Sequence, residues 1–495
     1  MSKIQITDLT FAYDGSYDNI FDHVSFQIDT DWKLGFTGRN GRGKTTLLRL
    51  LLGQYEYTGH ISAPMAFEYF PFPVADEGLL TMEILEEICP ELPYWKIQRE
   101  LSLLEVDEEI LYRPFNSLSK GEQTKALLAV LFLKENRFLL IDEPTNHLDR
   151  HGRALVSRYL NSKKGFILVS HDRAFLDGCV DHILSINKSS IQVQRGNFST
   201  WMENKARLDA FEQAENEKLK KEIQRLEETA KEKARWSDTA EGRKVGIDPN
   251  KVDNTKGWRP LQGAKAKKSM ARAKAIEARQ QSAIEEKSRL LKDIEYSEAL
   301  KLTQLPYHSS RFAELRDVSI AYGDHTVCQN VRFTVERGDR IALCGRNGAG
   351  KSSILKLLAG QDIPYSGTLE RGSRLKISYV AQDTAHLRGS LTDYARAAGI
   401  DESLFKAILR KLDFARVQFE KDMADFSGGQ KKKVLIARSL CEEAHLHLWD
   451  EPMNFIDVIS RMQIETLLLE FRPTIVFVEH DSVFCDHVAT KRIEL

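Results

Sequence analysis

The feature that most constrains this chain is that it says the same thing twice: GRNGRGKT at 38–45 returns as GRNGAGKS at 345–352, with Lys44 and Lys351 307 positions apart. Three further motifs repeat in the same order. LSKGEQTK at 118–125 answers FSGGQKKK at 426–433, and Ser119 and Ser427 are 308 apart. LLIDEPTNHLD at 139–149 answers LHLWDEPMNFID at 446–457, with Glu143 and Glu451 also 308 apart. VSHD at 169–172 answers VEHD at 478–481, with His171 and His480 at 309. Four motifs in one order and one register mean a duplicated domain. The 495 residues exceed what one hydrophobic core supports, so two copies and a connector fit the length.

The repeated motifs carry phosphate chemistry. GxxxxGK[ST] needs glycines because backbone amides must approach phosphate oxygens closely, a lysine to span the β and γ phosphates, and a hydroxyl for Mg²⁺. Gly38, Gly43, Lys44 and Thr45 meet it, as do Gly345, Gly350, Lys351 and Ser352. Each match follows a strand-like run (34–36; 340–343) and precedes a helix-like one (47–51; 354–358), the context the motif requires. LLIDE and LHLWDE place an apolar buried strand before two carboxylates. That arrangement suits an Asp bound indirectly to Mg²⁺ (Asp142, Asp450) and a Glu that orients attacking water (Glu143, Glu451).

Between the copies, from about 197 to 305, Lys, Glu, Ala and Arg dominate. Leu219, Ile223 and Leu226 fall at helical spacing, as do Ile284, Leu291 and Ile294. GIDPNKVDNTKGWRPLQG at 246–263 breaks the pattern. The expectation is a helical hairpin with arms of about 30 residues, roughly 45 Å at 1.5 Å per residue, and an irregular basic tip near 240–263. From 231 to 279 there are 14 Lys plus Arg against 6 acids, although the whole chain carries a formal charge of only −1. This segment is the candidate for meeting phosphates: Lys244, Lys251, Lys256 and Arg259 suit RNA phosphate, and Trp258 suits stacking on a base.

Composition excludes other classes. With 42% hydrophobic and 29% charged residues the chain is globular in character. The longest apolar run, near 126–133, falls well short of the roughly 20 residues of a membrane helix. The opening residues alternate like a strand and show no secretory signal pattern. Six scattered cysteines (Cys89, Cys179, Cys328, Cys344, Cys441 and Cys485) form no CxxC pair, which points to reduced thiols and a cytoplasmic location.

The LSKGE and FSGGQ signatures, set between phosphate loop and carboxylate strand, resemble the ATP-binding cassette superfamily. The resemblance implies an α/β fold with two ATP-binding cassettes (1–196 and 306–495) joined by a long α-helical hairpin (197–305). It also implies an ATPase that uses ATP and Mg²⁺ in two composite sites, each completed by the other cassette's signature. The first would take Gly38, Asn40, Gly41, Gly43, Lys44, Thr45, Thr46, Asp142, Glu143 and His171 with Ser427, Gly428, Gly429 and Gln430. The second would take Gly345, Asn347, Gly348, Gly350, Lys351, Ser352, Ser353, Gln382, Asp450, Glu451 and His480 with Ser119, Gly121 and Glu122. Thr45, Ser352 and Gln382 join the two aspartates as implied metal ligands, and His171 and His480 join the glutamates as catalytic residues. Tyr13 and Tyr322 resemble the family's adenine-stacking aromatics, against the plainer reading of strand packing. Two departures stand out: Phe72 occupies the place of a glutamine in the first cassette, and Lys120 replaces a glycine in the first signature.

Two cassettes with a short connecting hairpin and an intact EPTNHLD resemble the ABC-F proteins. Within that group the whole chain is similar to Lsa-type antibiotic-resistance proteins, through WDEPMNFIDV, VEHD, MSKIQITDLTFAYD, AENEKLKKE and KARWS. The resemblance implies a monomer that closes intramolecularly on ATP without a membrane partner and binds the E site of the 70S ribosome. Its linker tip would point toward P-site tRNA, ribosomal RNA and the peptidyl-transferase centre, displacing lincosamides, pleuromutilins and streptogramins A. A housekeeping ABC-F translation factor without resistance is the nearer alternative, and a transporter energy subunit the more distant one.

Overall fold

The computed structural model describes residues 2–13, 19–90, 93–146, 148–186, 191–245, 305–323 and 325–495. The chain divides into two compact units, Met1–Trp201 with Glu298–Leu495, and Met202–Ser297.

The larger unit contains one architecture twice. Its first sheet runs Ala66–Phe70, Arg137–Asp142, Phe166–Val169, Lys33–Thr37, His182–Ile186, Ile191–Arg195 in spatial order; every neighbouring pair is parallel except the last. The second runs Ile377–Val380, Leu446–Asp450, Ile475–Val478, Arg340–Cys344, Lys491–Glu494, all parallel. A parallel strand covered on both faces needs an unbroken apolar run rather than alternation. FLLI and LHLW supply it: Phe138, Leu140, Ile141, Leu446, Leu448 and Trp449 are fully buried. Even the polar members are satisfied there. The Trp449 indole donates to Ser439 Oγ at 2.8 Å, and the same hydroxyl lies 3.2 Å from His447 Nδ1.

Each copy adds an antiparallel three-stranded sheet, ordered Phe21–Asp29, Lys3–Phe11, Thr58–Ser62 in the first and His325–Glu336, Arg311–Tyr322, Tyr365–Arg371 in the second. The signature motifs open the helices Lys120–Leu131 and Gly428–Cys441. The apolar run near 126–133 is therefore a core helix, with Ala126, Leu128, Ala129, Val130 and Leu131 fully buried. Among the described residues no helix is long and apolar enough to cross a membrane.

The connector begins with the helix Phe198–Val245, 48 residues long. At 1.5 Å per residue this is about 72 Å, which corrects the expected 30-residue arm. The Lys/Glu/Ala-rich composition suits this helix through Val245, and residues 240–245, expected in an irregular tip, belong to it. Its root is anchored: Phe198 and Trp201 are buried, their rings 5.4 Å apart, and the Ser199 amide donates to Asp177 Oδ1 at 2.7 Å. Lys244 falls in the last turn of this helix. Lys251, Lys256, Trp258, Arg259 and the expected second arm lie outside the described residues.

Candidate active site

Both phosphate loops leave a central strand and enter the helices Lys44–Leu51 and Lys351–Ala359. The capping residues Gly43 and Gly350 hold φ of +90° and +85°. Only glycine enters that region freely, and a Cβ on Gly43 would meet Ile20 Cγ2 at 2.6 Å. Gly38, Gly41, Gly345 and Gly348 also hold positive φ. Neither cap offers a side chain to the first-turn amides, which suits an anion at the helix N-terminus. Lys44 Nζ donates to the carbonyls of Gly38 (2.7 Å) and Arg39 (3.1 Å) and to Asn40 Oδ1 (3.3 Å). Lys351 Nζ repeats this with Gly345 (3.0 Å) and Arg346 (2.8 Å). Burial lowers the pKa of both ammonium groups, so each loop holds a desolvated cation that an anion would stabilise.

The carboxylates arrive at the ends of Arg137–Asp142 and Leu446–Asp450, each one strand removed from the strand that feeds its phosphate loop. Thr45 Oγ1 lies 3.5 Å from Asp142 Oδ2, and Ser352 Oγ lies 3.0 Å from Asp450 Oδ1. Hydroxyl and carboxylate oxygens are the hard donors that Mg²⁺ takes. Glu143 and Glu451 sit at φ +51° and +47°, a region costly for a residue with a Cβ and found where function holds the backbone. His171 Nε2 and His480 Nε2 stand 3.4 and 3.5 Å from them. Burial, then the Lys44 charge, holds the His171 pKa well below its ordinary value.

The two glutamates differ in their surroundings. Glu451 Oε2 accepts from Asn454 Nδ2 at 2.6 Å and Gln382 Nε2 at 2.8 Å. Burial pushes its pKa up, but His480 3.5 Å away and the bonds from Asn454 and Gln382 outweigh that and bring it to about 2. Glu143 has no glutamine partner; its Oε1 is buried without a hydrogen bond, and burial together with Asp142 pushes its pKa up to about 8. Phe72 packs instead against Phe70, 6.3 Å between centroids, with Lys134 Nζ 4.8 Å from its ring. Gln382, expected as a metal ligand, therefore has its amide directed to the glutamate.

The signature residues meet the opposite cassette. A cleft of about 870 Å³ is lined by Ser119, Lys120, Gly121 and Glu122 from the first copy and by Arg346, Asn347, Gly348, Gly350, Lys351, Ser352, Ser353, Gln382, Glu451 and His480 from the second. At the other phosphate loop, Asn40 Nδ2 donates to the Phe455 carbonyl at 2.8 Å, and Arg39 pairs with Asp413 at 2.9 Å. Gly429 is packed against both: a Cβ there would lie 2.3 Å from Phe455 O and 3.2 Å from Asn40 Nδ2. Gly428 sits under the Phe455 ring. Ser119 and Ser427 cap their helices in reciprocal capping boxes with Glu122 and Gln430. Those two side chains, expected as nucleotide contacts, are thus engaged with their own helix ends.

Tyr13 and Tyr322 are 42% and 47% exposed, and their hydroxyls bond Thr46 Oγ1 at 2.8 Å and Ser353 Oγ at 3.1 Å. A ring anchored by its hydroxyl beside the phosphate loop, with an open face, has the form of a stacking platform. Sequence reasoning missed Asn454, the Arg39–Asp413 pair, and Tyr69, whose hydroxyl donates to Asp142 Oδ2 at 3.0 Å. Each had a signal in the repeat: Tyr379 matches Tyr69, Asn146 matches Asn454 and Arg346 matches Arg39.

The family described as "ABC transporter" matches residues 21–146 and 328–454. The chain is similar to the ribosome protection protein VmlR of Bacillus subtilis (strain 168), 27% identical, covering 99% of this chain and 86% of that protein. It is similar to the energy-dependent translational throttle protein EttA of Haemophilus influenzae, 26% identical over 95% of this chain and 88% of that one. Among solved structures, an archaeal ribosome recycling factor, aABCE1, in complex with the ribosomal stalk protein aP1 shares the fold with a TM-score of 0.65 at 18% identity, covering 98% of this chain and 87% of that one.

Proposed function

Because the chain belongs to the ABC transporter family of ATPase cassettes, and within it to the ABC-F proteins, we propose that it closes its two cassettes on two ATP molecules to act on the bacterial ribosome. The observation that carries the composite-site reading is the cleft in which Ser119 and Gly121 of one cassette face Lys351 and Ser352 of the other. Lys44 and Lys351 exchange their carbonyl partners for phosphate oxygens, and the first-turn amides cradle them. Thr45 with Asp142, and Ser352 with Asp450 and Gln382, would hold Mg²⁺. Bound there, the ion offsets charge developing on the transferring phosphoryl group. Glu143 and Glu451 orient water, with His171 and His480 behind them. Ser119 and Ser427 face the phosphates across the interface, while Tyr13 and Tyr322 stack the base.

In this reading ATP-bound closure sets the chain in the ribosomal E site, and the linker tip (Lys244, Lys251, Lys256, Trp258, Arg259) meets ribosomal RNA and P-site tRNA. Lincosamides, pleuromutilins and streptogramins A are displaced, and hydrolysis releases the factor into the cytoplasm. Similarity to a ribosome protection protein along 99% of the chain supports it. The test is the Glu143→Gln, Glu451→Gln double variant, which accumulates on ribosomes with ATP while wild type is released. Equal release of the two defeats the cycle. Expression in a susceptible Gram-positive host should raise the inhibitory concentrations of lincomycin, tiamulin and virginiamycin M, and the double variant should not. Similarity to a translational throttle protein favours a second reading, a translation factor without resistance; ribosome trapping with no shift for any drug selects it.

A further inference from the structure

Each strand that brings Phe72 or Gln382 toward its site carries a tyrosine three residues earlier, Tyr69 or Tyr379. Both stand in the same register. Tyr69 pairs with Leu140 and Tyr379 with Leu448, two residues before the aspartate of the adjoining strand. Tyr69 Oη donates to Asp142 Oδ2 at 3.0 Å, the oxygen that lies 3.5 Å from Thr45 Oγ1. Tyr379 stands at the corresponding place on its strand, in register two residues before Asp450, and Asp450 accepts from Ser352 Oγ at 3.0 Å. The glutamine at the end of this strand is present in one cassette and replaced in the other, yet the tyrosine stands in both.

We propose that Tyr69 and Tyr379 are positioning residues of the two metal sites, each fixing its aspartate toward the hydroxyl of the phosphate loop. The inference rests on reading Asp142 and Asp450 as the Mg²⁺ carboxylates. An acceptor-only carboxylate keeps a defined rotamer when one oxygen is tied to a fixed donor, leaving the remaining lone pairs aimed at the cation. Without the phenol, ordering the aspartate is left to the loop hydroxyl alone. The first site depends on the phenol more heavily, because its Thr45–Asp142 contact is the longer one.

The test uses the full chain carrying Tyr69→Phe, Tyr379→Phe or both, which keep the rings. Mn²⁺ binding in the presence of a non-hydrolysable ATP analogue is followed by electron paramagnetic resonance, and metal-free analogue binding by fluorescence. Removal of such a supporting hydrogen bond costs about 10- to 100-fold in metal affinity. The expected result is an Mn²⁺ half-saturation raised about tenfold at the substituted site, with metal-free analogue affinity within about twofold of wild type. Equal loss of metal-free binding makes the tyrosines structural and overturns the proposal. Asp142→Asn and Asp450→Asn separate the two levels. If these weaken Mn²⁺ and the tyrosine variants do not, the tyrosine inference alone fails; if the aspartate variants leave Mn²⁺ unchanged, the metal reading beneath it fails as well.

Discussion

Arg173 of the first cassette and Glu465 of the second form an ion pair at 2.7 Å, with side chains only 9% and 10% exposed. Asp481 lies 3.9 Å from the same guanidinium, and Glu465 Oε1 also meets His487 Nδ1 at 2.5 Å. The corresponding positions in the repeat, Ser482 and Ser157, are uncharged, so this tie between the cassettes is not duplicated at the repeat-equivalent positions. Replacing Arg173 with Met leaves a carboxylate enclosed with a half-exposed histidine. Removing one partner of a buried pair costs about 3–5 kcal/mol. His487 holds the cost to the lower end, about 3 kcal/mol, which is roughly a 150-fold shift in an equilibrium at 1.4 kcal/mol per tenfold. The Arg173→Met, Glu465→Met double variant removes both charges and should be close to neutral. The assay is native-state hydrogen exchange of the helices Arg173–Cys179 and Val458–Phe471 without nucleotide. Protection should fall about 150-fold in the single variant and return in the double. A double variant as unprotected as the sum of the two singles would refute the reasoning, because the charges would then not be coupled.

Asn454→Ala removes a 2.6 Å donor from Glu451; a hydrogen bond to a charged group is worth about 1.5–3 kcal/mol, so single-turnover hydrolysis at the second site, measured with Glu143→Gln present, should slow about 10- to 100-fold. Gly429→Ala places a methyl 2.3 Å from the Phe455 carbonyl of its own cassette, so the melting temperature without nucleotide should fall and ATP-induced closure, followed by small-angle scattering, should be lost. His447 is fully buried, and burial lowers its pKa to about 4. The unfolded chain therefore binds more protons between about 6.5 and 4, so stability is lost as pH falls through that window, by about 1.4 kcal/mol per unit. His447→Gln should flatten the acid limb of the second cassette's unfolding curve.

Much of the site was legible because the chemistry demands short, rigid motifs. A glycine at φ +90° beside a lysine and a hydroxyl can be read from eight residues, and the second copy in register removed the ambiguity of the first. The signature serines were legible as the helix caps they are, since a serine three residues before Glu or Gln is a capping box. The connector was read as helical from its spacing, but its length was not. Nothing in the spacing of a polar helix fixes how many turns it runs.

What the sequence determined by itself was therefore everything carried within one element or one turn: the duplication, the phosphate loops, the buried strands and the carboxylates at their ends. The tertiary structure alone decided what meets across elements. Glu143 and Glu451 are the same residue in the same motif, yet Glu451 is held by Asn454 and Gln382, whereas Glu143 Oε1 is buried without a hydrogen bond and with His171 Nε2 at 3.4 Å. Arg173 and Glu465 are 292 positions apart and belong to no repeated motif. Such pairings depend on how two folded surfaces come together, and a side chain's partner in a low-dielectric interior is fixed by the packing around it rather than by its neighbours in the chain.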